Sequence, residues 1–363
     1  MFQREAIMTI TSKLANIAAI KSQLKAAIRS KSVSISDALP LSQYPVKIQE
    51  IQMATEANIE ITYINQASGL MIDVITLKPP CSYLQNYAFA YSKARFINYP
   101  STVKFIGNYA FAYSSSLEFM EFKSTLNTVG AAVLRACTAL VEAVCNQPEN
   151  MLSFEMFYGC TKLKKVTLGP QIKKLGNSCF SGCTVLDTVN TEYLEEIGGS
   201  SFSNCSTLIN LSFPSLTAIT GNYAFSTMSN LESINFGNLA NFSSSYMLEK
   251  CPKLKKIIFS DKAVTFGNSI LYFLTGLKYV EFNALGTMNI ANNAFVGMSA
   301  LEAVVFKSST PPTLGGTAPF AGYPTAMKIY VPDTAVSAYK AAANWAVLAP
   351  YIYPMSEFVM PAL

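Results

Sequence analysis

An apolar anchor, usually Phe, is followed three residues later by a small residue, often Cys, and three beyond that by Leu, and the group recurs about every 23 residues. The anchors are Phe89, Phe111, Leu134, Phe157, Phe180, Phe202, Phe225, Leu248, Leu271, Phe295 and Phe320, in steps of 22 to 25. A single globular core does not impose so regular a period. It requires a stack of small units, each burying its apolar face against its neighbours, and so a solenoid.

Within a unit such as FYGCTKLKKVTLGPQIKKLGNSC from Phe157, the first seven residues space apolar groups by three, which predicts one short helical or 3₁₀ turn. Alternation after the leucine predicts a short strand, with Leu163, Val166 and Leu168 inward. Three columns then run along the stack. The leucine column is Leu117, Leu140, Leu163, Leu186, Leu208, Leu231, Leu254, Leu277 and Leu301. Beside it lie a strand column from Met120 to Val304 and, two residues on, a mainly Phe column from Phe122 to Phe306. The unit at Leu134 is degenerate, with Cys145 in the Phe column. Gly107, Gly130, Gly176, Gly198, Gly221 and Gly267 recur near the turn into the next unit, where a positive φ is expected.

The junctions FIGNYAF (105–111) and AITGNYAF (218–225) resemble the BspA-like class of bacterial leucine-rich repeats, over roughly residues 80 to 330. The resemblance implies a leucine-rich-repeat solenoid, assigned to 54–328 after an N-terminal helical module (1–53) and before a capping segment (329–363). The run from Ile329 to Met355 looks like the closing segment of such arrays, with Asp333 or Thr334 as a helix cap and Tyr339 and Trp345 facing the last coil.

Charge and chemistry narrow the function. Charged residues make up 13% of the chain and the net charge is +5 with scattered basic residues, which argues against nucleic-acid binding. Ile197 to Leu231 has no charge, yet Ser, Thr and Asn interrupt it too often for a membrane span. No histidine is present, which removes the commonest general base and the Ser-His and Cys-His pairs. The glycines form no phosphate loop, and Glu195-Glu196 reads as a solvated turn. Five cysteines (Cys137, Cys160, Cys183, Cys205, Cys251) share one register slot, Cys179 replaces an alanine and Cys145 a phenylalanine. A ladder of reduced, buried thiols is therefore expected, with no metal and no cofactor. The chain reads as a binding protein and not an enzyme, with a repeat-scaffold enzyme as a minor alternative.

The binding face is placed by strand alternation. Outward residues are Lys165, Thr167, Thr188, Asn190, Asn210, Ser212, Ser233, Asn235, Lys256, Tyr279 and Glu281, a polar strip suited to a neutral glycan or a protein on a host surface.

The N-terminus has early charges (Arg4, Glu5) and an amphipathic segment in place of a secretory signal. Ile7, Ile10, Leu14, Ile17, Leu24 and Ile28 follow a heptad seam, with Lys21 at the missing position. Two readings follow for this segment: a helix capping the first coil, or an anchoring and oligomerising element, a trimer being favoured by Ile at both seam positions. The stretch from Lys21 to Ile51 resembles an N-terminal element of phage and prophage tail or fibre proteins. That resemblance implies a virion structural protein, held by other virion proteins and attaching to the host through its repeats. A bacterial BspA-like cell-surface adhesin is the alternative.

Overall fold

A computed structural model describes residues 59–66 and 69–363 of the chain. The N-terminal seam from Ile7 to Ile28 and the phage-like stretch from Lys21 to Ile51 lie outside these residues.

The described chain opens with an antiparallel hairpin, Ile59–Gln66 against Gly69–Leu77. Its second strand pairs in parallel with Phe96–Asn98 and so founds the main ladder. That ladder continues through Phe119–Phe122, Glu142–Cys145, Lys165–Leu168 and later strands to Lys328–Val331 and Ile352–Pro354. A second ladder of two-residue strands, from Tyr83–Leu84 to Thr313–Leu314, occupies another side of each coil. The solenoid expected from the period is the fold found. Two strands of the closing segment extend the main ladder, so this segment is itself the end of the stack.

The expected columns are present. Phe111, Leu134, Phe157, Phe180, Phe202, Phe225, Leu248, Leu271 and Phe295 are fully buried, and Phe89, in the first coil, is partly so. Phe157 and Phe180 stack with centroids 5.4 Å apart, and Phe282 and Phe306 at 4.6 Å. The degenerate unit keeps register: Met120 pairs with Ala143 and Phe122 with Cys145, which pairs in turn with Leu168. Val189 alone in its column is only half-buried.

Around each anchor the short helical turn takes the form of tight turns that also bond between coils. Ala112 N–H donates to Tyr109 O within its coil (3.1 Å), whereas Tyr109, Phe111 and Tyr113 N–H donate to Ala131, Val133 and Arg135 O of the next (2.7–3.0 Å). Alternate N–H groups can face the next coil because residues two before and two after the anchor are left-handed, as at Tyr109 (φ 55°) and Tyr113 (φ 60°).

Two expectations fail here for physical reasons. None of Gly107, Gly130, Gly176, Gly198, Gly221 and Gly267 has a positive φ; the positive-φ glycines are Gly159, Gly182, Gly237, Gly297 and Gly322. The junction glycines are demanded by contact between coils, since a Cβ on Gly107 or Gly176 would lie 2.5 Å from the backbone N of Asn86 or Phe154. Asp333 and Thr334 do not cap a helix: the helix Val336–Ala341 starts without a side-chain cap, and Asp333 Oδ1 instead accepts the Ser356 N–H (2.9 Å). Tyr339 and Trp345 close the core as expected. Both are buried, with the Tyr339 hydroxyl donating to Ser308 O (3.0 Å) and Trp345 Nε1 to Pro312 O (2.9 Å).

Candidate binding face

Strand alternation places ten of the eleven predicted strip residues at the surface, fully or in part. The exception is Tyr279, which is 1% exposed. Its ring belongs to a satellite cluster with Ala303, Val305 and Tyr330, covered by Tyr353, Met355 and Phe358. The chain's end folds over the outer face of the last strands, and Lys278 Nζ donates to Ala362 O (2.7 Å). The signal for this cover lay in the strand AVVF (303–306), whose outward residues are apolar. The open face is therefore shorter than the ladder. Its nine rungs from Gly69–Leu77 to Lys256–Phe259 extend about 40 Å at the spacing of paired strands.

The open face divides by chemistry. At its N-terminal end Lys165 pairs with Glu142 (2.9 Å), and Arg95 bridges Asp73 (3.1 Å) and Glu118 (2.7 Å). That guanidinium holds the Glu118 carboxyl below its ordinary pKa by hydrogen bonding. Asn190 is engaged with the backbone of the preceding coil. Its amide accepts Leu168 N–H (2.6 Å) and donates to Leu168 O (2.8 Å), taking over from the backbone where the pairing of Lys165–Leu168 with Thr188–Val189 stops at Val166 and Val189. Thr188 is turned to its neighbour, its hydroxyl donating to Asp187 (2.8 Å).

Beyond the break a shallow groove of about 510 Å³ crosses the strands Asn210–Ser212, Ser233–Asn235 and Lys256–Phe259. Its polar groups are pre-ordered. Ser233 Oγ donates to Asn210 Oδ1 (2.5 Å), and Asn235 accepts the Gly237 N–H (3.0 Å) while its Nδ2 reaches Ser212 Oγ (3.5 Å). Lys256 Nζ lies 5.3 Å from the Tyr279 ring centroid, and Glu281 accepts the Tyr279 hydroxyl and faces Lys307 (3.8 Å). Ile258, 38% exposed, and Ser260 complete the lining; both were absent from the predicted strip, Ile258 because it is apolar yet points outward.

The thiols are structural. Each slot cysteine donates Sγ–H to the carbonyl of the preceding coil's anchor: Cys137 to Phe111, Cys160 to Leu134, Cys183 to Phe157, Cys205 to Phe180 and Cys251 to Phe225, at 3.1–3.2 Å. Ser114 does the same with Phe89 (2.9 Å), whereas in later coils the slot holds buried Met228, Leu274 and Met298. All eight cysteines are unpaired as disulfides, and seven are buried. Burial pushes the Cys137 and Cys251 thiols up to about 12 and raises those of Cys145, Cys160, Cys179, Cys183 and Cys205 as well. Among the described residues no group of acidic or thiol side chains is placed to hold a metal ion. Glu195 and Glu196 pair with Lys173 (3.3 Å) and Lys174 (2.7 Å) of the preceding coil. No helix among the described residues is long and apolar enough to cross a membrane.

Residues 82–209 and 195–313 match the BspA type leucine rich repeat region, in six copies. No curated protein matches the sequence. Among solved structures, the pneumococcal vaccine antigen PcpA is 20% identical, covering 83% of each chain with a TM-score of 0.47. A leucine-rich repeat protein of Eubacterium ventriosum is 17% identical over 70% of this chain and 79% of its own (TM-score 0.46), and one of Bacteroides ovatus 21% over 77% and 79% (TM-score 0.39). None of these comparisons supports the phage-fibre likeness of the N-terminal stretch. With the repeat matched across well over half its length, this chain belongs to the BspA-type leucine-rich repeat family.

Proposed function

We infer that this chain is a cell-surface adhesion protein that binds a glycan or protein ligand across the open strand face of its middle coils, and that it carries out no catalysis. The observation that carries this reading is the groove at Asn210, Ser212, Ser233, Asn235 and Lys256. There, neutral hydroxyl and amide groups are held in place by one another on a scaffold whose backbone is fixed by the stacked coils. Such preorganisation lowers the entropy lost on binding. Membership of the BspA-type family supports adhesion as the role and the cell surface as the location. Residues 1–53 then act as the attachment element.

The test is a combined Ser212→Ala, Ser233→Ala and Asn235→Ala variant, assayed on immobilised mucin glycans and extracellular-matrix proteins. Asn190 is left intact because it holds the Leu168 backbone. Binding is expected to fall at least tenfold, about 1.4 kcal/mol. Full-strength binding by a folded variant would remove this groove as the site.

A further inference from the structure

The position two residues after each anchor is left-handed, and in five of the eleven coils it holds a residue that tolerates this conformation. Gly159, Gly182, Gly297 and Gly322 stand there, and Asn204 in another coil. Ala136, Thr227 and Lys250 hold it elsewhere, and Phe273 is the aromatic occupant in the C-terminal half of the array. Its φ is 54°, its ring is 49% exposed, and a bulky side chain in this conformation costs about 1–2 kcal/mol. Tyr91 and Tyr113 occupy the same slot at the other end of the array, but they stack on each other at 4.9 Å. At Phe273 the next coil has Gly297, and ring atoms lie 3.1–3.3 Å from where a Cβ on that glycine would be. The ring therefore leans over the glycine, and its surroundings on the side of the preceding coils form a pocket of about 560 Å³.

The pocket has two aromatic walls, Tyr272 and Phe273, with centroids 4.5 Å apart and planes at 54°. Around them stand the Ser229 and Thr275 hydroxyls and the Glu249–Lys250 ion pair (3.5 Å). The set has flat apolar surface, donors and acceptors in similar number, and no net charge. A sugar ring has the matching chemistry, with one apolar C–H face and a rim of hydroxyls that both donate and accept. A peptide fits less well, because backbone N–H groups on this edge are committed between coils, Thr227 N–H to Glu249 O (2.7 Å) and Phe273 N–H to Val296 O (2.8 Å), and the edge cannot extend a strand pairing.

We propose that the turn-edge pocket at Phe273 binds one pyranose unit of an uncharged glycan, stacked on the Phe273 ring and hydrogen-bonded by Glu249, Ser229 and Thr275. This site lies apart from the strand-face groove and does not depend on it.

Saturation-transfer NMR on the full chain tests this with four probes: the tetrasaccharides of α-1,4- and β-1,4-linked glucose, the tetrasaccharide of β-1,4-linked N-acetylglucosamine, and a proline decapeptide. Transfer to at least one sugar is expected, reduced at least tenfold by Phe273→Gly and kept by Phe273→Tyr. The melting temperature of Phe273→Gly should stay level or rise, because glycine relieves the left-handed backbone. The strand-face triple variant should retain sugar transfer, so failure of the groove and failure of this pocket are separate results. Any of four results overturns the proposal: no transfer to the three sugars, undiminished transfer in Phe273→Gly, a marked fall in that variant's melting temperature, or binding of the proline peptide alone.

Discussion

The strands Asn210–Ser212 and Ala303–Phe306 occupy equivalent places in their coils, yet one faces open groove and the other is covered by the chain's own end. Their inward residues are alike, Leu211 beside Val304 and Phe213 beside Phe306, all buried. The difference lies wholly in the outward residues: Asn210 and Ser212 in the first, Ala303 and Val305 in the second. Inward columns therefore specify the coil and outward ones specify what lies on it. A polar outward row stays open, and an apolar one recruits Tyr353, Met355 and Phe358.

The two regions also differ in their thiols, and raised pH should separate them most strongly. All seven buried cysteines lie between Cys137 and Cys251, and none in the covered coils. Their folded pKa values are raised by burial above the ordinary thiol value of 9.0, so the protonated form is favoured by folding. That stability is fully present below pH 9 and is lost as pH rises from there to 12 and beyond, by about 1.4 kcal/mol per pH unit for each thiol. Buried Tyr279 and Tyr339, with raised values of their own, bring the same effect to the covered coils from the ordinary tyrosine value of 10.0 upward. Because coils unfold in nearest-neighbour units, far-UV circular dichroism should fall before the fluorescence of Trp345, the sole tryptophan, changes. Simultaneous loss of both signals would show that the array unfolds as one unit.

Crowding between coils ranks next. A Gly176→Ala change drives a Cβ to 2.5 Å from Phe154 N, a clash with backbone that cannot rotate away. It should cost about 2–4 kcal/mol in urea unfolding. A Gly286→Ala change, where no atom lies within 4 Å, should leave the midpoint within about 0.5 kcal/mol. Equal effects would mean that stacking distance does not set the junction glycines.

Uncovering the apolar outward row is a smaller change. Phe358→Ser removes a ring 5.9 Å from Tyr279 and 5.0 Å from Tyr330, and should cost about 2 kcal/mol with new binding of a hydrophobic dye. Absence of dye binding would mean that the tail is not what keeps this face dry. In the open region the Ser212, Ser233 and Asn235 triple alanine variant should shift stability by less than about 0.5 kcal/mol per site, since all three are exposed. A larger loss would make the groove's polar network structural.

Much of this was legible because a solenoid makes distant contacts out of a local period. Knowing that residues about 23 apart are neighbours is enough to place Phe157 on Phe180 and to put Cys145 in a phenylalanine column. The same alternation gave most of the outward strip. Asn190 was missed as a structural residue because nothing in its spacing tells that its amide takes over the pairing of Leu168. Phe273 was missed because its significance depends on a positive φ and on the glycine one coil later.

By itself, then, the sequence determined the coil, its period, its buried columns and the burial of its thiols, since each follows from periodicity and from which side chains leave water. The tertiary structure alone decided where the open face ends, because the cover on Tyr279 is supplied by Phe358, 79 residues further along and outside the repeat register. It alone decided too that the junction glycines answer to the backbone of the preceding coil and not to their own dihedral angles. A period fixes which coils touch; how near they come, and what folds back over them, is set only when the whole stack has closed.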